Sequence, residues 1–397
     1  MLQKIGLLQR ILIAILLGVL FGSFSPTWLI RIFATFNGIF GNFLSFVIPF
    51  IIIGFIVPGI GSLGKGAGKL IGWTAAIAYF STILAGTIAF FVGQTVLPHL
   101  LSGQSLVEAE NPEEFLLPPF FEVEMPPVMN VVSALIVAFL FGIGLSLIKG
   151  KTLFHMFVDF QQIIEKLISG LIIPLLPFHI FGIFSNMTFG GQVQTIVSLF
   201  AKVFVLILFL HISYLFILYS TSGTIAKKNP LKLLKTMAPA YFTALGTQSS
   251  AATIPVTLAQ AKKTGVKESV AEFTIPLLAN IHLSGSTITL VISSMGVMFL
   301  SGFVPSFSDY LPFIFMLAIT MIAAPGVPGG AVMAALGLLE TMLHFDQTMI
   351  SLMIALYLAQ DSLGTATNVT GDGAITVIVN RWNRERKRER KKVSQAV

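Results

Sequence analysis

Residues 359–380, AQDSLGTATNVTGDGAITVIVN, decide how the rest of the chain is read. Taken as a helix, the stretch places Asp361, Thr365, Asn368 and Asp372 at i, i+4, i+7 and i+11, within roughly 60° of one another at about 100° per residue. They form one polar stripe on a segment that is otherwise small or apolar. The whole chain has 397 residues, 55% hydrophobic and 10% charged, with a mean hydropathy of +0.89. Soluble domains carry about 25% charged residues, so this is an integral membrane protein. A carboxylate at the centre of a membrane helix costs about 2.5 to 3.5 kcal/mol, and two on one stripe call for a functional reason.

Composition excludes several classes. With no cysteine there is no disulfide, thiolate metal site or cysteine nucleophile. The first apolar run follows Lys4 and Arg10 without a small-residue cleavage site and reads as a retained span. The net charge of +7 is mostly a tail effect, because residues 381–392 hold eight basic side chains against two glutamates. Such a block beside a final span reads as a cytoplasmic anchor on anionic lipid, with the bilayer as partner and no nucleic acid.

Apolar runs of about 20 residues place spans at 7–24, 42–60, 67–97, 129–147, 154–187 and 196–219. The fifth is too long for one straight crossing and is tilted or carries an interfacial lead-in around residues 161–166. Lys4, Arg10, Lys65, Lys69, Lys149, Lys151, Lys227, Lys228, Lys232 and Lys235 fall on one side, joined by the tail when eight spans are counted. By the positive-inside rule that side is cytoplasmic, with both termini inside. Glu108, Glu110, Glu113, Glu114, Glu122 and Glu124 lie on the other side, between spans three and four, in a solvated connector or a functional vestibule.

Two later stretches, 236–260 and 313–343, are apolar but broken by proline and glycine. Lysines bound the first at both ends and none bounds the second, the signature of two re-entrant hairpins entering from opposite faces. Each precedes a span with a polar, helix-breaking middle, ANIHLSGS at 279–286 and NVTGDG at 368–373. A hairpin and a broken helix, repeated in inverted orientation, build the midplane site of many secondary transporters. Non-helical backbone survives at that depth only when buried or lining a cavity. The expected fold is all-α, with eight transmembrane helices plus two re-entrant helical hairpins in inverted repeats.

Three motifs in this order, GTQSSAATIPVT at 246–257, GVPG at 326–329 and NVTGD at 368–372, resemble the dicarboxylate/amino acid:cation symporters. That family includes the archaeal glutamate transporter homologues and the bacterial serine/threonine sodium symporters. The resemblance is strongest over residues 235–380 and implies the glutamate-transporter-homologue fold, a homotrimer in the cell membrane and elevator-type alternating access. It implies scaffold spans one and two in 1–66, span three of the transport domain in 67–98 and an acidic extracellular loop in 99–128. Scaffold spans four and five then occupy 129–192, span six 193–234, the transport core 235–380 and the cytoplasmic tail 381–397.

The resemblance also implies roles. Asp361 pairs with a substrate ammonium group, Thr365 assists and Asn368 holds the substrate carboxylate. Ser249 and Ser250 in the first tip and Gly326, Val327 and Gly329 in the second complete the site, although the serines also fit ordinary small-residue helix packing. Relatives that carry acidic substrates place an arginine three residues after the position of Asp361, where a bidentate fork grips a second carboxylate. Here that residue is Gly364, and the other arginine position is Gln248. No Lys or Arg lies between Lys267 and Arg381. The expected substrate is a neutral amino acid such as serine, threonine or alanine. A larger neutral amino acid, a dicarboxylate or proton coupling is the alternative within the same fold.

Sodium is the implied coupling ion, with no other cofactor. Asp372 is the implied ligand together with backbone of Leu278, His282 and Asn368, a hard-cation set. A second sodium is implied at Met321, Ile322, Ala324 and Asn280. The side-chain ligands of a third correspond to His282 and Ser284, and its hydroxyls are not clearly matched at Ser81, Thr82 or Thr87, so fewer sodium ions are expected. His282 itself reads as a proton carrier, a charged surrogate for the missing ion, or a neutral histidine on a broken-helix carbonyl. His99, His155, His179, His211 and His344 lack metal-ligand spacing and read as packing or interfacial residues. An intramembrane aspartyl protease is the rival from another class, but Asp361 and Asp372 would stand about 16 Å apart on one helix, too far to share a proton. A passive channel would show uptake without cation flux. No enzyme is expected.

Overall fold

The computed structural model describes residues 7–62, 68–101, 116–148, 150–191, 193–322, 324 and 328–394. Lys4, Lys65, Lys149, Glu108, Glu110, Glu113, Glu114, Gly326 and Val327 lie outside the described residues. All regular structure among those described is helical, in the order α1 (Leu7–Phe24), α2 (Thr27–Ser62), α3 (Gly68–Leu101), α4 (Val131–Leu147), α5 (Thr152–Leu167), α6 (Ile173–Phe189) and α7 (Val193–Ala226). There follow α8 (Pro230–Thr247), α9 (Ser250–Lys263), α10 (Glu268–Ile281), α11 (Ser284–Leu300), α12 (Phe307–Met321), α13 (Gly330–Met342) and α14 (Gln347–Ser394). Among the described residues six helical stretches are long and apolar enough to cross a membrane, α10 and α11 counting as one, and α1 and α4 are shorter apolar helices.

The helices pack in two groups. One is α1, α2, α4, α5 and α6; the other is α3 with α7 to α14, and the two meet mainly where α13 and the start of α14 lie on α1, α2, α4 and α6. Helix hairpins α8–α9 and α12–α13 both belong to the second group. At each tip the residue reversing the chain has left-handed backbone, Gln248 (φ 53) in one and Gly329 (φ 74) in the other.

Two sequence expectations, the bounds of the second span and the break in the last helix, are corrected. The second span is not confined to 42–60: α2 begins at Thr27, and its added turns carry Arg31 and Thr35, with Asn42 beyond. These polar side chains bind the backbone of the segment before α4, which runs beside α2. Arg31 donates to the carbonyls of Pro118 (3.1 Å) and Pro119 (3.2 Å), Thr35 Oγ1 accepts from Phe120 N (2.8 Å), and Asn42 donates to Val123 O (2.9 Å). From α6, Asn186 exchanges two bonds with Leu117. The end of the acidic connector is therefore tied down, with Glu122 and Glu124 exposed.

The fifth span is one continuous helix from Thr152 to Phe189 through a π turn at Ile168–Ile172. Its first part, α5, is amphipathic and buries Phe157 and Ile164, the lead-in read from sequence.

The last helix is not broken at NVTGDG. Only α10 and α11 are interrupted, at His282 and Leu283, whereas α14 passes through Asn368 to Gly373 without a gap. The glycines there serve close approach. A Cβ on Gly371 would lie 2.9 Å from His282 Cε1, and one on Gly373 2.7 Å from Met237 Cε. α14 is thus a continuous spine against which α8, α9, α10, α11 and α13 pack.

Candidate functional site

Three helices of the second group begin beside this spine, and the first N–H groups of a helix have no intrahelical partner. Each start is satisfied by a residue singled out in the sequence. At α9, Ser249 is extended (φ −139) and its hydroxyl accepts from Ala252 N at 3.2 Å, an N-cap within the tip itself. At α11, Asn368 Oδ1 accepts from Gly285 N (2.8 Å) and Ser286 N (3.3 Å), while its Nδ2 donates to Ser286 Oγ (2.9 Å). At α13, Asp361 Oδ2 accepts from Gly329 N at 2.7 Å.

The polar stripe is therefore real and buried: Asp361, Thr365, Asn368 and Asp372 are each at most 5% exposed. Gly364 lies between them against α11, where a Cβ would sit 3.4 Å from Ser286 N and 3.5 Å from Thr289 Oγ1, ordinary contact. Gly285 has no such room, since its Cβ would collide with Gly364 O and stand 2.7 Å from Thr367 Cβ. No Lys or Arg is buried among the described residues, so neither carboxylate is met by a buried base of that kind.

Asp372 has a different partner. Its Oδ1 lies 2.9 Å from His282 Nδ1, and both side chains are buried. His282 Nε2 continues to Ser81 Oγ on α3 (2.9 Å), which is 2.8 Å from Tyr214 Oη on α7; Tyr214 donates in turn to Ser81 O (2.5 Å). The chain Asp372–His282–Ser81–Tyr214 joins α14, the α10–α11 break, α3 and α7. His282 bonds side chains here, not a broken-helix carbonyl. Asp372 Oδ2 is buried without a hydrogen-bond partner among the described residues.

The structure resolves the span-three hydroxyls: Ser81 reaches the site, whereas Thr82 and Thr87 bond back to Ala78 O and Ile83 O. Leu278 is buried, and its carbonyl accepts from His282 N at 2.9 Å. Ser250, Met321 and Ala324 are buried and Ile322 half-buried, but Asn280 is exposed and its amide turns back to Pro276 O. Sequence reasoning missed Tyr214 and His211, whose Nε2 lies 3.0 Å from Gly285 O and 3.2 Å from Thr289 Oγ1. Neither belongs to a local motif; only the fold brings them there.

A sequence profile of the sodium:dicarboxylate symporter family matches residues 7–382. The chain belongs to the sodium:dicarboxylate symporter family. Its relatives include the C4-dicarboxylate transport protein of Yersinia enterocolitica, 25% identical over 401 residues that cover 94% of this chain and 91% of the other. The protein of the same name from Pectobacterium atrosepticum is 25% identical over 404 residues, covering 95% and 91%. Membership in the symporter family makes this a membrane transporter rather than an enzyme, and the protease reading ends there.

Proposed function

We propose that the protein is a cation-coupled symporter that imports a neutral amino acid of the serine, threonine or alanine kind across the cell membrane. The observation that carries this reading is Asp361, a buried carboxylate beside the hairpin tip with no buried Lys or Arg among the described residues. A zwitterion brings an ammonium group to that charge. A dicarboxylate brings a second and third anion into a site with no base to meet them, and an unpaired buried charge is strongly unfavourable. The start of α9 and the capped starts of α11 and α13 supply N–H-rich surroundings for the single substrate carboxylate. Sodium is proposed at Asp372, whose unpartnered Oδ2 suits a hard cation completed by backbone carbonyls.

The basic ends of the helices face the cytoplasm in this reading, the hairpins are re-entrant, and the α3/α7–α14 group moves against the others. A homotrimer is the proposed assembly. A second reading, C4-dicarboxylate transport, is favoured by the names of the two relatives. Calorimetric titration of the purified protein in sodium with serine, alanine, aspartate and succinate separates the two. Heat from serine or alanine alone supports the proposal, and heat from succinate alone overturns it.

A further inference from the structure

Outside the substrate site, a second buried polar cluster lies where the two helix groups meet. His179 on α6 is 2% exposed, and its Nε2 stands 3.1 Å from Ser351 Oγ on α14. The Ser351 hydroxyl donates to Gln347 O at 2.6 Å, so towards His179 it can only accept, which places the imidazole proton on Nε2. Nδ1 is then an acceptor, and the Asn37 amide of α2 donates to it at 3.1 Å while taking Ile183 N on its oxygen at 2.9 Å. Beside them Gln347 reaches Ser45 Oγ at 3.4 Å, and Gly41 alone leaves room for the Gln347 amide. The cavity lined by Ser45, His179, Glu340, Asp346, Gln347 and Ser351 is ≈ 20 Å³, room for about one water. The two groups are closed on each other here.

The partners lie at unequal depths. Ser351 is four residues from the start of α14, and His179 is ten from the end of α6 on the same side. At 1.5 Å per residue these are about 6 Å and about 15 Å from the two helix ends. Ser45 is eighteen residues inside α2, about 27 Å. The start of α14 therefore meets α6 and α2 well inside their ends on that side rather than level with them. Exposure agrees: α13 is buried from Gly330 to Leu339, whereas Gly246, Thr247, Ala251 and Ala252 at the α8–α9 tip are exposed.

We infer that His179, held by Asn37 and bonded to Ser351, is the latch that keeps the moving group in its lowered, cytoplasm-facing position. The inference rests on the transporter reading and its sidedness, and is independent of which solute is carried. Because the chain has no cysteine, a Ser45→Cys/Gln347→Cys pair reports the lowered position by its cross-linking rate in proteoliposomes without substrate. Adding Ser351→Ala removes the hydrogen bond His179 makes to α14, together with the Ser351 hydroxyl's bond to Gln347 O within α14, and should slow cross-linking about fivefold, while adding His179→Gln, which keeps an N–H donor, should slow it less. Unchanged rates in both variants, or a parent pair that never cross-links, overturn the inference. A merely structural role would lower thermal stability and leave the rate alone.

Discussion

The two hairpins have one plan and opposite fates. In α8–α9 the tip caps itself: Ser249 holds Ala252 N, Thr253 Oγ1 bonds Ser249 O at 2.8 Å, and the flanking residues are exposed. In α12–α13 the described part of the tip is held from outside, by Asp361 on Gly329 N, and α13 is buried along most of its length. The α8–α9 tip draws its cap from its own residues, while the α12–α13 tip shares the Asp361 carboxylate with the proposed substrate ammonium.

Substitutions can break that contrast. The largest effect is expected for Asp361→Asn, whose amide oxygen still accepts from Gly329 N but carries no charge. Amino acid affinity should fall about 100-fold with the fold intact, measured by calorimetry alongside thermal unfolding; full affinity would remove the ammonium role. Gly364→Arg comes next. It should move the preference towards succinate or aspartate about tenfold through charge-assisted bonds, tempered by the adverse dipole at the start of α11; competition uptake reads the ratio. Gly285→Ala should destabilise the protein by about 1–3 kcal/mol through overpacking, seen as a lowered unfolding temperature, whereas Gly364→Ala should be close to neutral. Smallest is Ser249→Ala, a lost cap of about 1 kcal/mol. It should raise the labelling of a cysteine introduced at Thr247 in the α8–α9 tip and leave substrate affinity within tenfold.

Much of this was legible because membranes restrict the options. Proline and glycine in 236–260 and 313–343 could not belong to clean crossings, and both became hairpins. The stripe on 361–372 followed from helical spacing alone. The misreadings share a cause. The span read as 42–60 leaves out Arg31 and Thr35 because their partners, the backbone groups of Pro118, Pro119 and Phe120, are more than eighty residues away. Gly371 and Gly373 looked like a break because glycine serves both flexibility and close packing, and only the neighbouring His282 and Met237 decide between them. His282 stands out by its position, but its route through Ser81 to Tyr214 requires two other helices, α3 and α7, to be in place.

Concentrative uptake tests the central claim most directly. Protein reconstituted into liposomes with an inward sodium gradient is offered labelled L-serine and labelled succinate in parallel. Accumulation of serine above its external concentration, lost in Asp361→Asn, is the predicted result. Accumulation of succinate with none of serine would contradict the account.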